Sequence, residues 1–74
     1  MITNAMLGKR IKVARVQAGL TQGQLGQQLE PPRSITAVSF MEQGESRVFA
    51  IDLIRIAQVT NMPLLSYFLE GCNA

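Results

Sequence analysis

The sequence predicts a single, small, all-α domain. The chain has 74 residues, of which 47% are apolar, enough for one hydrophobic core. Apolar side chains recur at the spacing of helix turns, and no run alternates in the way of a β-strand. Glycine and proline separate these segments at short intervals. We therefore predict five helices joined by tight connections.

The first helix is predicted over residues 6–18. Leu7, Ile11 and Ala14 recur at i, i+4 and i+7, so they share one helix face. Residues 1–5 lack the charged start and long apolar run of a signal peptide. We expect them to be a leader or a flexible N-terminus that precedes the domain.

The second helix is predicted over residues 21–29. Thr21 and Gln24 have the spacing of a capping box, in which each side chain bonds the backbone of the other residue. Gly26 lies in the middle of this helix, where glycine costs about 1 kcal/mol relative to alanine. Either another backbone approaches closely at Gly26, or the helix tolerates the glycine.

Three further helices are predicted, over residues 34–43, 50–60 and 63–70. Pro31 and Pro32 end the second helix because proline cannot donate a backbone hydrogen bond. Ser34 is then the expected N-cap of the third helix. The domain as a whole is expected to cover residues 6–71, and residues 72–74 are expected to be a flexible C-terminus.

The composition excludes most classes of enzyme. The chain has no histidine, and therefore neither an imidazole base nor a histidine-ligated metal site. Cys72 is the only cysteine and has no partner for nucleophilic catalysis. The acidic residues form no paired motif, and no phosphate-binding glycine loop occurs. We expect no enzymatic activity, no metal or other cofactor and no small-molecule ligand.

Cysteine content and charge indicate the compartment and a class of partner. A single cysteine excludes an intrachain disulfide, which favours a reducing compartment, so we expect a cytoplasmic protein. No stretch is apolar for the roughly 20 residues that a membrane helix needs. Lys9, Arg10, Lys12 and Arg15 lie close together. They are either a basic surface for phosphate or ordinary solvated side chains.

Three ordered blocks of sequence form a recognisable pattern. Residues 15–25 read Arg-Val-Gln-Ala-Gly-Leu-Thr-Gln-Gly-Gln-Leu, and residues 38–44 read Val-Ser-Phe-Met-Glu-Gln-Gly. These two blocks resemble the lambda-repressor/Cro-like (XRE-type) helix-turn-helix domains, and residues 53–68 resemble the two closing helices of that family. The resemblance covers about residues 7–71. It implies a five-helix lambda-repressor-like domain that binds double-stranded DNA, as a transcriptional regulator or a phage-type repressor.

The resemblance also implies roles for individual residues. Arg15 and Glu42 match a paired arginine and glutamate that link the first helix to the end of the third. The third helix would enter the major groove, with base contacts from Ser34, Ile35, Thr36, Ser39 and Phe40. Contacts with DNA phosphates would come from Arg10, Gln22, Arg33, Gln43, Ser46 and Arg47.

Two departures from the family pattern leave alternatives open. The segment Glu30-Pro31-Pro32 lengthens the connection before the third helix, so the register of that helix is open. Ile35, Ala37 and Phe40 offer thymine-methyl or packing contacts, although long polar side chains discriminate bases best. The alternative function is a protein-interaction module of the antitoxin or anti-repressor type. The apolar residues that favour it, if exposed together, are Phe40, Val48, Phe49, Ile51 and Ile54.

The last two predicted helices carry more apolar residues than one buried face needs. We therefore expect a two-fold homodimer, which would also add stability to so short a chain. The candidate interface residues are Ile51, Ile54, Tyr67, Phe68 and Leu69.

Overall fold

A computed structural model describes residues 2–69, which form five helical segments and no β-strand. The segments are α1 (Asn4–Gln17), α2 (Gln22–Gln28), α3 (Ile35–Gln43), α4 (Ala50–Thr60) and a π-helical segment (Leu64–Phe68). The all-α prediction is confirmed. The radius of gyration is 11.0 Å, close to that of a compact domain of this length. Within residues 2–69, no helix combines the length and the apolar character that a membrane crossing requires.

Helix α1 begins two residues before the predicted position. The Thr3 hydroxyl accepts a hydrogen bond from the amide of Met6 at 3.1 Å, so threonine caps the helix and Asn4 and Ala5 belong to it. Ile2 packs against the core. Gly44 ends α3 with φ 77°. It lies so close to Ala5 that a Cβ added to Gly44 would be 2.6 Å from the Cα of Ala5. Residues 2–5 are therefore folded onto the domain, which corrects the expectation of a flexible start.

The capping box of α2 is present as predicted. The amide of Gln24 donates to the Thr21 hydroxyl at 3.1 Å, and the amide of Thr21 donates to Gln24 Oε1 at 2.9 Å. Both bonds satisfy amides that the first turn of a helix leaves unpaired. The start of α2 is thus determined by local side chains.

Gly26 brings the turn after α2 back onto the helix. A Cβ at this position would lie 2.2 Å from the carbonyl oxygen of Arg33. The amide of Arg33 donates to the carbonyl of Gly26 at 2.9 Å. The close approach of the Arg33 backbone is therefore the reason for a glycine at position 26, and the alternative that the helix merely tolerates it is rejected.

Ser34 sets the register of α3, which the sequence left open. Its hydroxyl accepts from the amide of Ala37 at 3.1 Å, and the helix begins at the next residue. Val38 and Met41 consequently face the core, as the apolar spacing predicts. Glu42 is buried beside them.

The core lies between α1, α2, α3 and α4 and is closed by the π-helical segment. Its fully buried apolar side chains are Ile11, Leu25, Leu29, Val38, Ile56 and Phe68. Phe68 packs edge-on against Tyr67, with ring centroids 4.9 Å apart. Because Phe68 has no exposed surface, it belongs to the core of one chain, and its assignment to a dimer interface is wrong.

Candidate nucleic-acid interface

The Glu42 carboxylate is the centre of a polar network between α1, α2 and α3. Arg15 Nε donates to Glu42 Oε2 at 2.6 Å, and Arg15 Nη2 donates to Oε1 at 3.2 Å. The two side chains are only 11% and 3% exposed. Arg15 Nη1 also donates to the carbonyl of Leu20 at 2.9 Å. The ion pair predicted from the sequence therefore forms, and it is bidentate and shielded from water.

Gln22, a predicted phosphate contact, belongs to the same network. Its Nε2 donates to Glu42 Oε1 at 3.1 Å, so the side chain in the first turn of α2 is held against the end of α3. This bond restrains the rotamer of Gln22. A restrained amide loses less conformational entropy when it binds a further group than a mobile one does.

The five predicted base contacts lie at the start of α3 and along its outer face. Ser34, Ile35 and Thr36 are exposed, and Phe40 is 46% exposed. Ser39 is half-buried, and its hydroxyl accepts from Gln43 Nε2 at 3.1 Å. The structure brings these residues together on the side of α3 opposite Val38 and Met41.

Arg33 is not placed as a phosphate contact. Its Nη2 lies 3.0 Å from Oδ2 of Asp52, which has no exposed surface, and its guanidinium lies 5.9 Å from the ring centroid of Phe49. Within residues 2–69, neither Asp52 oxygen accepts an aligned hydrogen bond, so the pair is held by charge. Arg33 thus ties the turn before α3 to the first turn of α4, which corrects its predicted role.

Sequence reasoning missed Asp52 as the partner of Arg33. The available signal was an acidic residue in the first turn of an otherwise apolar helix, where the helix dipole favours negative charge. That signal explains why an aspartate is tolerated there. It does not identify the cation, which is 19 residues away in the chain.

We expect Arg33→Gln to destabilise the fold by about 2 kcal/mol, because it leaves the buried Asp52 carboxylate without a cation. Asp52→Asn introduced into the Arg33→Gln chain should recover part of that loss. Urea denaturation monitored by circular dichroism gives both values. Arg47→Gln is the matched control, since Arg47 is exposed and has no partner among the described residues. Equal effects of Arg33→Gln and Arg47→Gln would show that the Arg33–Asp52 contact contributes nothing.

Arg10 is also engaged within the fold. Its Nη1 donates to the carbonyl of Phe68 at 3.0 Å, and the Tyr67 hydroxyl donates to the carbonyl of Arg10 at 3.2 Å. These reciprocal bonds fasten the π-helical segment to α1. Arg10 therefore has a structural role in addition to its predicted one, and the Tyr67 hydroxyl is engaged within one chain.

The remaining predicted phosphate contacts lie near the end of α3. Gln43 and Arg47 are exposed, and Ser46 is half-buried. Ser46 and Arg47 line a cavity of about 190 Å³ together with Phe40 and Phe49, beside the Arg33–Asp52 pair. This part of the surface therefore combines cationic, hydroxyl and aromatic groups.

Of the predicted phosphate contacts, Ser46 and Arg47 have no side-chain partner among residues 2–69. Gln22 and Gln43 each donate one amide hydrogen within the fold and keep a second, while Arg10 and Arg33 are engaged by other parts of the fold. No protein-family model and no curated protein sequence matches this chain. What the site can do is therefore inferred from its own residues and geometry.

Proposed function

We propose that this chain binds double-stranded DNA in the manner of a lambda-repressor-like helix-turn-helix domain, as a transcriptional regulator or a phage-type repressor. The observation that carries the proposal is the pair α2 and α3. Both are short, both begin at a hydroxyl N-cap, and a turn that packs back onto Gly26 joins them. In such an arrangement the second helix lies in the major groove. The residues that would then face base edges are Ser34, Ile35, Thr36, Ser39 and Phe40.

The distribution of charge supports this proposal. Two of the five acidic side chains, Glu42 and Asp52, are buried and paired with arginines. Lys9, Lys12 and Arg47 have no ion-pair partner among residues 2–69. Each pair removes one positive and one negative charge, so the remaining side chains still carry the net charge of +2. A positive surface attracts phosphates and increases the rate of encounter with DNA.

We expect Arg47→Ala to weaken binding to all duplexes alike and to reduce the slope of log K against log salt by about one unit. The measurement is a salt titration by fluorescence anisotropy, on a duplex selected from a random pool and on a scrambled duplex. Lys9→Ala is the matched control, because it removes the same charge from the outer surface of α1, where Lys9 lines a groove with Val13 and Tyr67. If the wild type binds no duplex at about 50 mM salt, where phosphate contacts are strong, DNA binding is rejected.

A protein-interaction function of the antitoxin or anti-repressor type is the second candidate. Phe40 and Phe49 are 46% and 59% exposed beside one cavity, which is unusual for side chains of this size. Val48, by contrast, is half-buried and packs against the core. The candidate partner surface is thus smaller than the sequence predicts. The protein-interaction function becomes the leading explanation if the chain binds no duplex.

We also propose that the chain forms a homodimer through the outer face of α4. Ile51 and Ile54 are exposed one turn apart on this helix. Ile54 also borders an open, mainly apolar groove of about 520 Å³ at the end of α4. Of the predicted interface, Ile51 and Ile54 are thus retained, and the exposed Leu65 joins them. Phe68 is buried, and Tyr67 and Leu69 are partly buried against the core.

Ile54→Glu should convert a dimer into a monomer, because a dimer interface would bury two carboxylates related by the two-fold axis. Light scattering at tens of micromolar measures the mass. Val16→Glu, at an exposed apolar position on α1, should leave the dimer intact. A wild-type protein that is monomeric under these conditions would refute the interface.

A further inference from the structure

We infer that Ile35 is a specificity-determining residue that selects thymine through its 5-methyl group. This inference rests on the proposed DNA binding and specifies which base the surface of α3 prefers. On that surface Ile35 is apolar and held in position, and the hydroxyls of Ser34 and Ser39 already accept hydrogen bonds.

Ile35 is an apolar side chain presented in a fixed place. It is the first residue of α3 and is 60% exposed. Its Cγ1 and Cδ1 atoms lie 3.3 and 3.4 Å from the position that a Cβ of Gly23 would occupy. The isoleucine therefore rests against the bare backbone of α2, and its β-branched side chain has restricted χ1 rotation. One flank is packed and the other is open to solvent.

The polar side chains around Ile35 are short, and two of them already accept hydrogen bonds within the fold. The Ser34 hydroxyl accepts from the amide of Ala37, and the Ser39 hydroxyl accepts from Gln43 Nε2. Among the residues described, the Thr36 hydroxyl alone on this face has no such partner. Each hydroxyl keeps a hydrogen to donate, but hydrogen-bond reading on this face depends on short serine and threonine side chains. Ile35 adds an apolar contact to this surface.

The major groove offers one apolar feature to such a side chain. Among the four bases only thymine carries a methyl group, at C5, on its major-groove edge. Burying one methyl-sized group against an apolar side chain improves affinity about fourfold. Phe40 is also exposed, but it lies five residues further on and beside Phe49, so it is not part of this contact. The preferred sites are therefore expected to contain thymine at the positions that α3 contacts.

The test uses deoxyuridine, which lacks the methyl group but keeps the hydrogen-bonding groups of thymine. A duplex selected from a random pool is measured by fluorescence anisotropy with each thymine replaced in turn. The wild type should bind about fourfold more weakly at one or more positions. Ile35→Ala should bind thymine and deoxyuridine equally at the position that Ile35 contacts. Val16→Ala, which shortens an exposed apolar side chain on α1, should keep the wild-type sensitivity.

Three results would overturn the inference while leaving DNA binding intact. These are wild-type affinity that is unchanged by deoxyuridine at every position, an Ile35→Ala variant that retains the full sensitivity, and a selected duplex without thymine. Failure of the wild type to bind any duplex would instead reject the proposed function, and the inference with it. Circular dichroism of Ile35→Ala checks that an altered affinity does not reflect loss of the fold.

Discussion

Replacement of Glu42 by alanine is expected to destabilise the fold by about 4 kcal/mol, the largest loss that we predict for a single substitution. Glu42 receives two hydrogen bonds from Arg15 and one from Gln22, and its side chain is 3% exposed. Without the carboxylate, a guanidinium that is 11% exposed keeps only its bond to the carbonyl of Leu20. An arginine left unpaired in such surroundings loses hydration that nothing replaces.

Urea denaturation of the wild type and Glu42→Ala measures this loss. Glu45→Ala is the matched control, because it removes the same side chain from an exposed position three residues further on. The control is expected to change stability by no more than about 0.5 kcal/mol. Since Glu42→Ala can leave too little stability to measure, Glu42→Gln provides a milder change that keeps the shape and removes the charge.

A double-mutant cycle separates the ion pair from the effect of each side chain alone. Arg15→Ala combined with Glu42→Gln should destabilise the fold by less than the sum of the single variants, because the charge that each single change strands is then absent. Strict additivity, with single effects under about 1 kcal/mol, would mean that the pair behaves as an exposed one. The burial and bidentate geometry of the network would then have no energetic consequence.

Gly26→Ala is expected to be the second most damaging change, at about 3 kcal/mol. The added Cβ would lie 2.2 Å from the carbonyl oxygen of Arg33, and this oxygen is part of the backbone. To make room, the turn before α3 would have to move away from α2. That movement would strain the bond from the Arg33 amide to the Gly26 carbonyl and the contact between Arg33 and Asp52.

Gly23→Ala tests whether this cost comes from the close approach. Gly23 lies in the same helix, but a Cβ added there would meet only side-chain atoms at short range, Cγ1 and Cδ1 of Ile35 at 3.3 and 3.4 Å. Alanine favours a helix over glycine by about 1 kcal/mol, so Gly23→Ala should be close to neutral or stabilising. Thermal denaturation of both variants gives the comparison. Similar losses at the two positions would indicate an effect of helix composition instead of the backbone contact.

Local signals in the sequence predict the helices well, because neighbouring residues supply most of what starts and stops a helix. Thr21 and Gln24 cap α2 within four residues of chain, and Ser34 caps α3 within the same range. The apolar spacing of α1 and α3 identifies the faces that are buried. The apolar spacing places the start of α1 two residues late, because the cap that begins this helix is the hydroxyl of Thr3, which accepts from the amide of Met6.

The sequence alone determines the all-α class, the order of the helices, the core faces of α1 and α3, and, through the family resemblance, the pairing of Arg15 with Glu42. Only the tertiary structure decides which cations remain available for a ligand. Arg33 and Arg10 look like surface residues in the sequence, yet Asp52 and the carbonyl of Phe68 engage them. The physical reason is that these partners lie 19 and 58 residues away along the chain, and no local pattern encodes contacts formed when distant helices pack together.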